Sequence, residues 1–339
     1  MLIRLLPVLA LALQLSAARV VAQGAAPGVA QGVAQGSLDR SGGGGLRVMT
    51  WNVGSNSVVP SGSNTRPGAV VPVPTSGRAG AFARVVRAVR PDVACLQEFT
   101  SGSAYAARLF DALLPLPGGA RWHGYSALGN VIVSRYPLSD TTRRTFRSLA
   151  SHRAHAVARL ALPDSLHMPH AVMVCTHLQS GGGAGNLAFR SRQATAIAEE
   201  LRRRDSLVVR AGSRAVSAIV LGDLNAIDEP APYIETLLRL PLVDAFPTHN
   251  GAPLAGSRPA PVYTWRDDRQ RYAPGRLDRV LFDPRAYTAS RAYVLDTRSL
   301  DAPARRVMGL EADDTVRDAR AGWIDHLPVV VDLVAPVVR

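Results

Sequence analysis

Apolar residues in this chain recur in short runs, and most of the runs stop at a side chain capable of chemistry. From Leu46 to Gly54, LRVMTWNVG alternates apolar and polar positions and then meets Asn52, which predicts a strand with an amide at its carboxyl end. DVACLQE, Asp92 to Glu98, reads as a buried strand ending in a carboxylate, and GNVIVSRYPL, Gly129 to Leu138, as another strand running out at Arg135, Tyr136 and Pro137. HAVARLAL (His155 to Leu162) and HAVMVCTHL (His170 to Leu178) read as antiparallel neighbours joined by a short polar turn at Pro163 to Pro169, the second ending in His177. AIVLGDLN, Ala218 to Asn225, is an apolar run stopped by Gly222; Asp223 and Asn225, two apart on an extended segment, point the same way. The same letters also read as turn punctuation, since Asp, Asn and Gly dominate turns through local hydrogen bonds. YTWR (Tyr263 to Arg266), GRLDRVLF (Gly275 to Phe282) and RAYVL follow, and the chain closes with a terminal apolar strand directly after Asp325 and His326.

Helical spacing separates these runs. Phe82, Val85, Val86 and Val89 fall at i, i+3, i+4 and i+7 and predict a helix terminated by Pro91. A second helical stretch runs from Ser103 to Leu114 and leads to the aromatic residues Trp122, His123 and Tyr125. Ala194, Ile197, Ala198 and Leu201 give a third helix after a flexible GGGAGN. A fourth is expected to start near Asp228, with Pro230 in its first turn and Tyr233, Ile234, Leu237 and Leu238 on its buried face. No internal repeat is present, and many strands with interspersed helices indicate a single α/β or α+β domain over residues 46–339.

Residues 1–22 have a charged start, an apolar middle from Leu5 to Leu15 and a small-residue exit, which reads as a secretory signal peptide cleaved after Ala22. The apolar run is short for a membrane span, so a secreted or periplasmic protein is expected. Residues 23–45 form a low-complexity linker, and Ser55 to Gly77 a long loop without periodicity. The formal charge is +13, and every basic residue is arginine; losing Arg4 and Arg19 with the leader lowers it to +11. Such a surface suits nucleic acid, anionic lipid or a phosphorylated substrate, although an arginine-biased genome explains the composition equally well. The two cysteines, Cys95 and Cys175, sit in apolar runs; export permits a disulfide, but two buried thiols acting as small apolar residues are the favoured reading.

The polar groups at strand ends are Asn52, Glu98, His177, Asp223 with Asn225, Asp278, and Asp325 with His326. Singly, each has a plain structural explanation as a turn cap, a solvated carboxylate, a satisfied core histidine or a surface ion pair. Together they suit metal-assisted phosphoester hydrolysis. Carboxylates and amide oxygens are hard ligands for Mg²⁺ or Mn²⁺, a carboxylate off the metal can take a proton from water, and histidines can contact phosphate and leaving oxygen. No Cys/His cluster has zinc spacing.

The order WNVG, LQE, VSRYPL, TH, GDLN, RLD, and DH before a final apolar strand resembles the endonuclease/exonuclease/phosphatase superfamily with its DNase I-like fold, over residues 46 to 334. The resemblance implies a four-layer sandwich, two mixed β-sheets packed face to face with helices outside, and a divalent-metal phosphodiesterase or phosphatase. It implies Asn52, Glu98 and Asp325 as metal ligands, Asp223 and Asn225 as the pair that activates and orients water, and His326 against the scissile phosphate with Asp278 fixing its tautomer. His177 resembles a second phosphate-contacting or acid histidine. The chain departs at Ile324, where the family often has serine, and in its longer loop after Asn52.

The expected function is a secreted Mg²⁺- or Mn²⁺-dependent phosphodiesterase acting on nucleic acid, gripping the strand with arginine-rich loops at Arg143, Arg144 and Arg147 and with exposed Trp122 and Trp265. The alternatives are a sphingomyelinase-like enzyme at a lipid membrane, a phosphatase of small phosphorylated molecules, or a catalytically dead polyanion binder. A monomer is expected, with no protein partner implied.

Overall fold

A strand that is apolar at both parities must have a core on each face, and several strands here are of that kind. The computed structural model describes residues 44–54, 70–147, 152–210, 217–227, 231–245, 263–266, 272–315 and 325–336. The leader, the linker apart from Gly44 and Gly45, the loop from Ser55 to Ala69, and Ile324 lie outside the described residues.

Twelve strands form two mixed six-stranded sheets. One is ordered β11 (Thr288–Val294), β12 (Val329–Val334), β1 (Leu46–Asn52), β2 (Val93–Gln97), β4 (Asn130–Ser134), β3 (His123–Ala127). The other is ordered β5 (Leu138–Arg147), β6 (His152–Leu160), β7 (Ala171–His177), β8 (Ser217–Asp223), β10 (Asp278–Phe282), β9 (Val243–Asp244). Each sheet contains one parallel pair, β1 with β2 and β7 with β8, flanked by antiparallel neighbours.

The cores follow the alternation. Leu46, Val48, Val93, Cys95, Met173, Cys175, Ile219, Leu221, Val280 and Phe282 meet between the sheets. Met49, Trp51, Ala94 and Leu96 face outward and are covered by α1 (Gly77–Val89), α2 (Gly102–Leu113) and α5 (Ala302–Met308). Val172, Val174, Val220 and Leu281 are covered by α3 (Ala184–Arg210) and α4 (Pro232–Leu238). The expected four layers are present.

The structure corrects several expectations. Cys95 and Cys175 are joined in a disulfide. Both lie on inter-sheet faces, so the bond staples one sheet to the other, and apolar surroundings did not distinguish that from two buried thiols. Arg143, Arg144 and Arg147 lie in strand β5 rather than in a loop, and β3 also went unanticipated, because neither strand has a strong apolar alternation. Trp122 is buried, its ring edge-on to Phe110 and its indole N–H donating to Leu114 O at 2.8 Å, so it is not an exposed platform. Helix α4 begins at Pro232, and Leu238 is exposed; Asp228 and Pro230 lie outside the described residues. Helix α3 begins at Ala184, inside the stretch read as flexible.

A covalent link between sheets, spanning 80 residues of sequence, constrains the unfolded chain strongly. Replacing both cysteines by alanine is expected to cost about 2–5 kcal/mol of stability, read as a lowered denaturation midpoint. An unchanged midpoint would show that the staple is dispensable.

Candidate active site

Parallel pairing places the carboxyl ends of β1 and β2, and of β7 and β8, at one edge of their sheets. Antiparallel β10 starts where β8 ends, with Asp278 opposite Asp223, and β12 starts beside the end of β1. Asn52, His177, Asp223, Asp278 and His326 therefore arrive at the same end of the sandwich, with Glu98 immediately after β2.

The side chains meet. The Asn52 amide donates to Glu98 Oε1 at 3.2 Å and to Asp223 Oδ2 at 3.1 Å, while its oxygen accepts from Gly54 N–H at 3.1 Å. His177 Nε2 lies 3.2 Å from Asp223 Oδ2, and its Nδ1 lies 3.9 Å from Glu98 Oε1. His326 Nε2 lies 3.6 Å from Asp223 Oδ2 and 3.9 Å from Asp325 Oδ1, and its Nδ1 is 2.8 Å from Asp278 Oδ2. Asp223 is thus shared by an amide and two imidazoles.

Asn225 reaches the site differently from the extended geometry expected for it. Its φ of 47° is left-handed, a conformation asparagine tolerates, and its backbone N–H donates to Asp223 Oδ1 at 2.9 Å. Its side-chain amide donates to Leu178 O at 3.0 Å, tying the end of β8 to the end of β7. The turn reading of GDLN holds, and the same turn brings the Asn225 N–H onto Asp223 among the residues that meet here. Glu98 is likewise left-handed, at φ 58°. Gly222, at φ 148°, could not be another residue, because a Cβ there would sit 1.9 Å from Thr176 O on the adjacent strand.

A supporting shell escaped sequence reasoning. Thr264 Oγ1 donates to Asp278 Oδ2 at 2.7 Å and accepts from the Leu277 and Asp278 N–H groups. Trp51 Nε1 donates to His326 O at 3.0 Å, and Trp265 Nε1 to Asp325 Oδ2 at 2.9 Å. Buried Arg190 donates to Gln179 O and Gly181 O, just past His177, and lies over the Tyr233 ring, whose hydroxyl donates to Asn225 O at 2.7 Å. Trp51 lies in WNVG and Thr264 and Trp265 in YTWR, which was the available signal; Trp265, expected as an exposed grip on the strand, is half-buried with its indole N–H on Asp325, and Arg190 had no signal.

Electrostatics follow from burial. Desolvation opposes the charge of Asp223, yet His326, His177, the Asn225 N–H and the Asn52 amide outweigh it and hold the carboxyl below its ordinary value. Burial pushes Asp278 up to about 6 despite His326 beside it, and the charge of Asp223 adds to the rise. Burial alone would deprotonate His326, but Asp278, Asp223 and Asp325 together raise it to about 10. At neutral pH His326 is an imidazolium and Asp223 and Asp278 are carboxylates.

The donor set fits a hard divalent cation. Four carboxylates gather around two histidines, and Glu98 and Asp325, with side chains 30% and 52% exposed, are the two open to solvent. Atoms of Asp223, Asp278 and His326 also lie within 4.8 Å of one another, but the 2.8 Å contact between Asp278 and His326 already occupies that trio. Glu98 and Asp325 are the carboxylates a cation can reach from solvent, whereas the Asn52 oxygen accepts from Gly54 N–H and its NH₂ group faces Glu98.

Residues 49–300 match the profile of the Endonuclease/Exonuclease/phosphatase family. An endonuclease/exonuclease/phosphatase family protein from Bacteroides thetaiotaomicron superposes with a TM-score of 0.55 at 15% identity, covering 86% of this chain and 96% of that one. A mannosyl-6-phosphatase of the same organism gives 0.54 at 16% identity, covering 85% and 99%. D. rerio TDP2 complexed with single strand DNA product gives 0.53 at 14% identity, covering 86% and 99%. At such identities the likeness is one of fold. No curated protein matches the chain.

Asp278→Asn removes the largest of the charges that raise His326. In metal-free protein, NMR titration is expected to show the His326 pKa falling from about 10 toward or below 6.5. An unmoved titration would refute the pairing.

Proposed function

The chain belongs to the endonuclease/exonuclease/phosphatase family and is a phosphoester hydrolase, and we propose that it is an exported, divalent-metal-dependent phosphodiesterase acting on nucleic acid. The observation that carries this reading is the position of Asp223, one ionised carboxylate in contact with Asn52 and His177 and facing His326. A group so placed can take a proton from an attacking water while the imidazoles act on the phosphate.

Each residue has a role that its contacts support. Asp223 accepts the water proton as the oxygen–phosphorus bond forms, and the Asn225 N–H holds the carboxylate in place. Protonated His326 meets the charge that builds on the phosphoryl oxygens, fixed by Asp278 at Nδ1. His177 is a second contact to phosphate, placed to return a proton to the leaving oxygen as its bond to phosphorus breaks. Glu98 and Asp325 would hold Mg²⁺ or Mn²⁺, joined by the Asn52 oxygen once that amide turns from Gly54 N–H toward Glu98, and the ion would neutralise substrate charge and polarise the phosphate when bound.

Three observations support the remaining parts. Trp265 is half-buried beside Asp325, and the exposed Tyr272 ring lies 6.4 Å from it, an aromatic pair suited to a stacked base. The net charge of +13, or +11 without Arg4 and Arg19 of the leader, favours a polyanion. The leader at residues 1–22 and the Cys95–Cys175 disulfide both suit an oxidising compartment outside the cytosol, with residues 46–339 as the catalytic domain. The fold shared with a mannosyl-6-phosphatase favours a second reading, hydrolysis of a small phosphomonoester.

Purified protein with Mg²⁺, Mn²⁺ or EDTA should be offered plasmid DNA, RNA, sphingomyelin, bis(p-nitrophenyl) phosphate and a sugar phosphate. Metal-dependent nicking of plasmid, lost in His326→Ala, is the expected outcome; release of phosphate from the sugar alone would replace the nucleic-acid reading with the second one. Asp223→Asn should lower turnover by about a hundredfold or more with the melting temperature preserved, and near-normal turnover would remove Asp223 from the chemistry. Glu98→Gln should raise the metal concentration needed for half-maximal activity, whereas an unchanged requirement would strike Glu98 from the ligands.

A further inference from the structure

At the end of the sandwich opposite the candidate active site lies a cavity of about 620 Å³, within the range of small-ligand pockets. It opens where β1 and β2 begin: Arg47 stands five residues before Asn52, roughly 17 Å along the strand at about 3.3 Å per residue. Its lining contains four arginines, Arg47, Arg87, Arg90 and Arg135, and no acidic residue.

The four arginines differ in how they are neutralised. Arg47 is buried and binds Asp332 through Nε and Nη2, with Nη1 donating to Val89 O. Arg135 pairs with the buried Asp92 at 3.0 Å. Arg87 and Arg90 are exposed, three residues apart at the end of α1, and neither has a carboxylate partner among the described residues. Arg87 lies in the last turn of α1 and Arg90 is its left-handed C-cap, and both line the same cavity, where their like charges repel, a cost that an anion between them would reverse.

The remaining wall is apolar. Leu114 and Leu116 are half-buried, Pro117 is exposed, and the Trp122 ring is held edge-on to Phe110. The Trp122 indole N–H is spent on Leu114 O, so the ring offers no donor to the cavity. A cationic mouth beside an apolar wall matches neither a bare inorganic ion nor a neutral hydrocarbon.

We infer that this cavity binds an organic anion, a phosphate or carboxylate head carried on an apolar chain or ring. The head lies between Arg87 and Arg90, and the apolar body lies along Leu114, Leu116 and Trp122. The ligand comes either free in solution or as a lipid headgroup, and the site is independent of the hydrolytic reading.

Calorimetry on the full chain tests it with hexyl phosphate, hexanol, inorganic phosphate, and vesicles of phosphatidylcholine containing phosphatidic acid. Hexyl phosphate is expected to bind about tenfold more tightly than inorganic phosphate or hexanol. Arg87→Glu combined with Arg90→Glu should lose about tenfold or more, and Leu116→Asn should reduce hexyl phosphate to the level of inorganic phosphate, with melting temperatures confirming the fold of each. Arginine-dependent binding of both hexyl phosphate and vesicles identifies a lipid source, and binding of hexyl phosphate alone identifies a free anion. No binding of hexyl phosphate, equal binding by the double variant, equal binding of hexanol, or binding to vesicles alone would each overturn the proposal.

Discussion

Everything at the active end depends on strand parity. Asn52 has the parity of Leu46 and Val48, His177 that of Met173 and Cys175, Asp223 that of Ile219 and Leu221, and Asp278 that of Val280 and Phe282. Each set of apolar residues faces the gap between the sheets, so each strand delivers its final or first polar residue into that same gap. The site is the polar end of the inter-sheet core. A one-residue slip in any strand would turn its functional side chain toward the helices. The Cys95–Cys175 bond fixes the gap two residues below Gln97 and His177, so the spacing of the two halves is set covalently just beneath the groups that must meet.

That placement explains the electrostatics. A carboxylate at the lip of an apolar core loses hydration, and it stays ionised only where neighbours replace the water. Asp223 has four such neighbours and is held ionised, whereas Asp278 has Oδ1 buried without a partner among the described residues and rises. The two aspartates face one another across β8 and β10 with His326 against both, and their different surroundings separate their tasks. Asp278 holds the His326 imidazolium at Nδ1, and Asp223 sits at the centre of the network, met by Asn52, Asn225, His177 and His326. The excess negative charge at Glu98 and Asp325 lies on the solvent side, where a divalent cation could enter without disturbing the buried pair.

What could be read from the sequence was whatever repeats within a few residues. Apolar runs stopped by Asn52, Glu98, His177 and Asp223 declared the strands and the polar residues that gather at one end of the sandwich, because those residues stand where the period breaks. Convergence could be argued only from motif order, since register between strands as distant as β1 and β12 leaves no local trace. Strands β3 and β5 escaped for the opposite reason. They lie at sheet edges, and their periodicity is weak, as in the half-exposed HGYSA of β3. The disulfide was hidden because a cysteine across a sheet gap and a cysteine filling a core have the same neighbours in sequence. Arg190 was hidden because a charged residue on a helix reads as solvated until the fold buries it under Tyr233.

The charge of the chain is a weaker guide to substrate than its size suggests. Several arginines are consumed in structure: Arg47 on Asp332, Arg84 on Asp314, Arg204 on Glu200, and Arg276 with Arg279 on Asp244. Guanidinium suits such buried pairs better than an ammonium because its planar fork meets a carboxylate at two points, as Arg47 does with Asp332. An all-arginine chain therefore places part of its positive charge inside the fold, where it steers no polyanion. What distinguishes substrates is the unpaired remainder and its location. The aromatic pair of Trp265 and Tyr272 stands beside His326, whereas Arg87 and Arg90 stand at the far end of the sandwich. An aromatic pair and an unpaired cationic pair are thereby separated along the strands, and a net charge cannot tell one surface from the other.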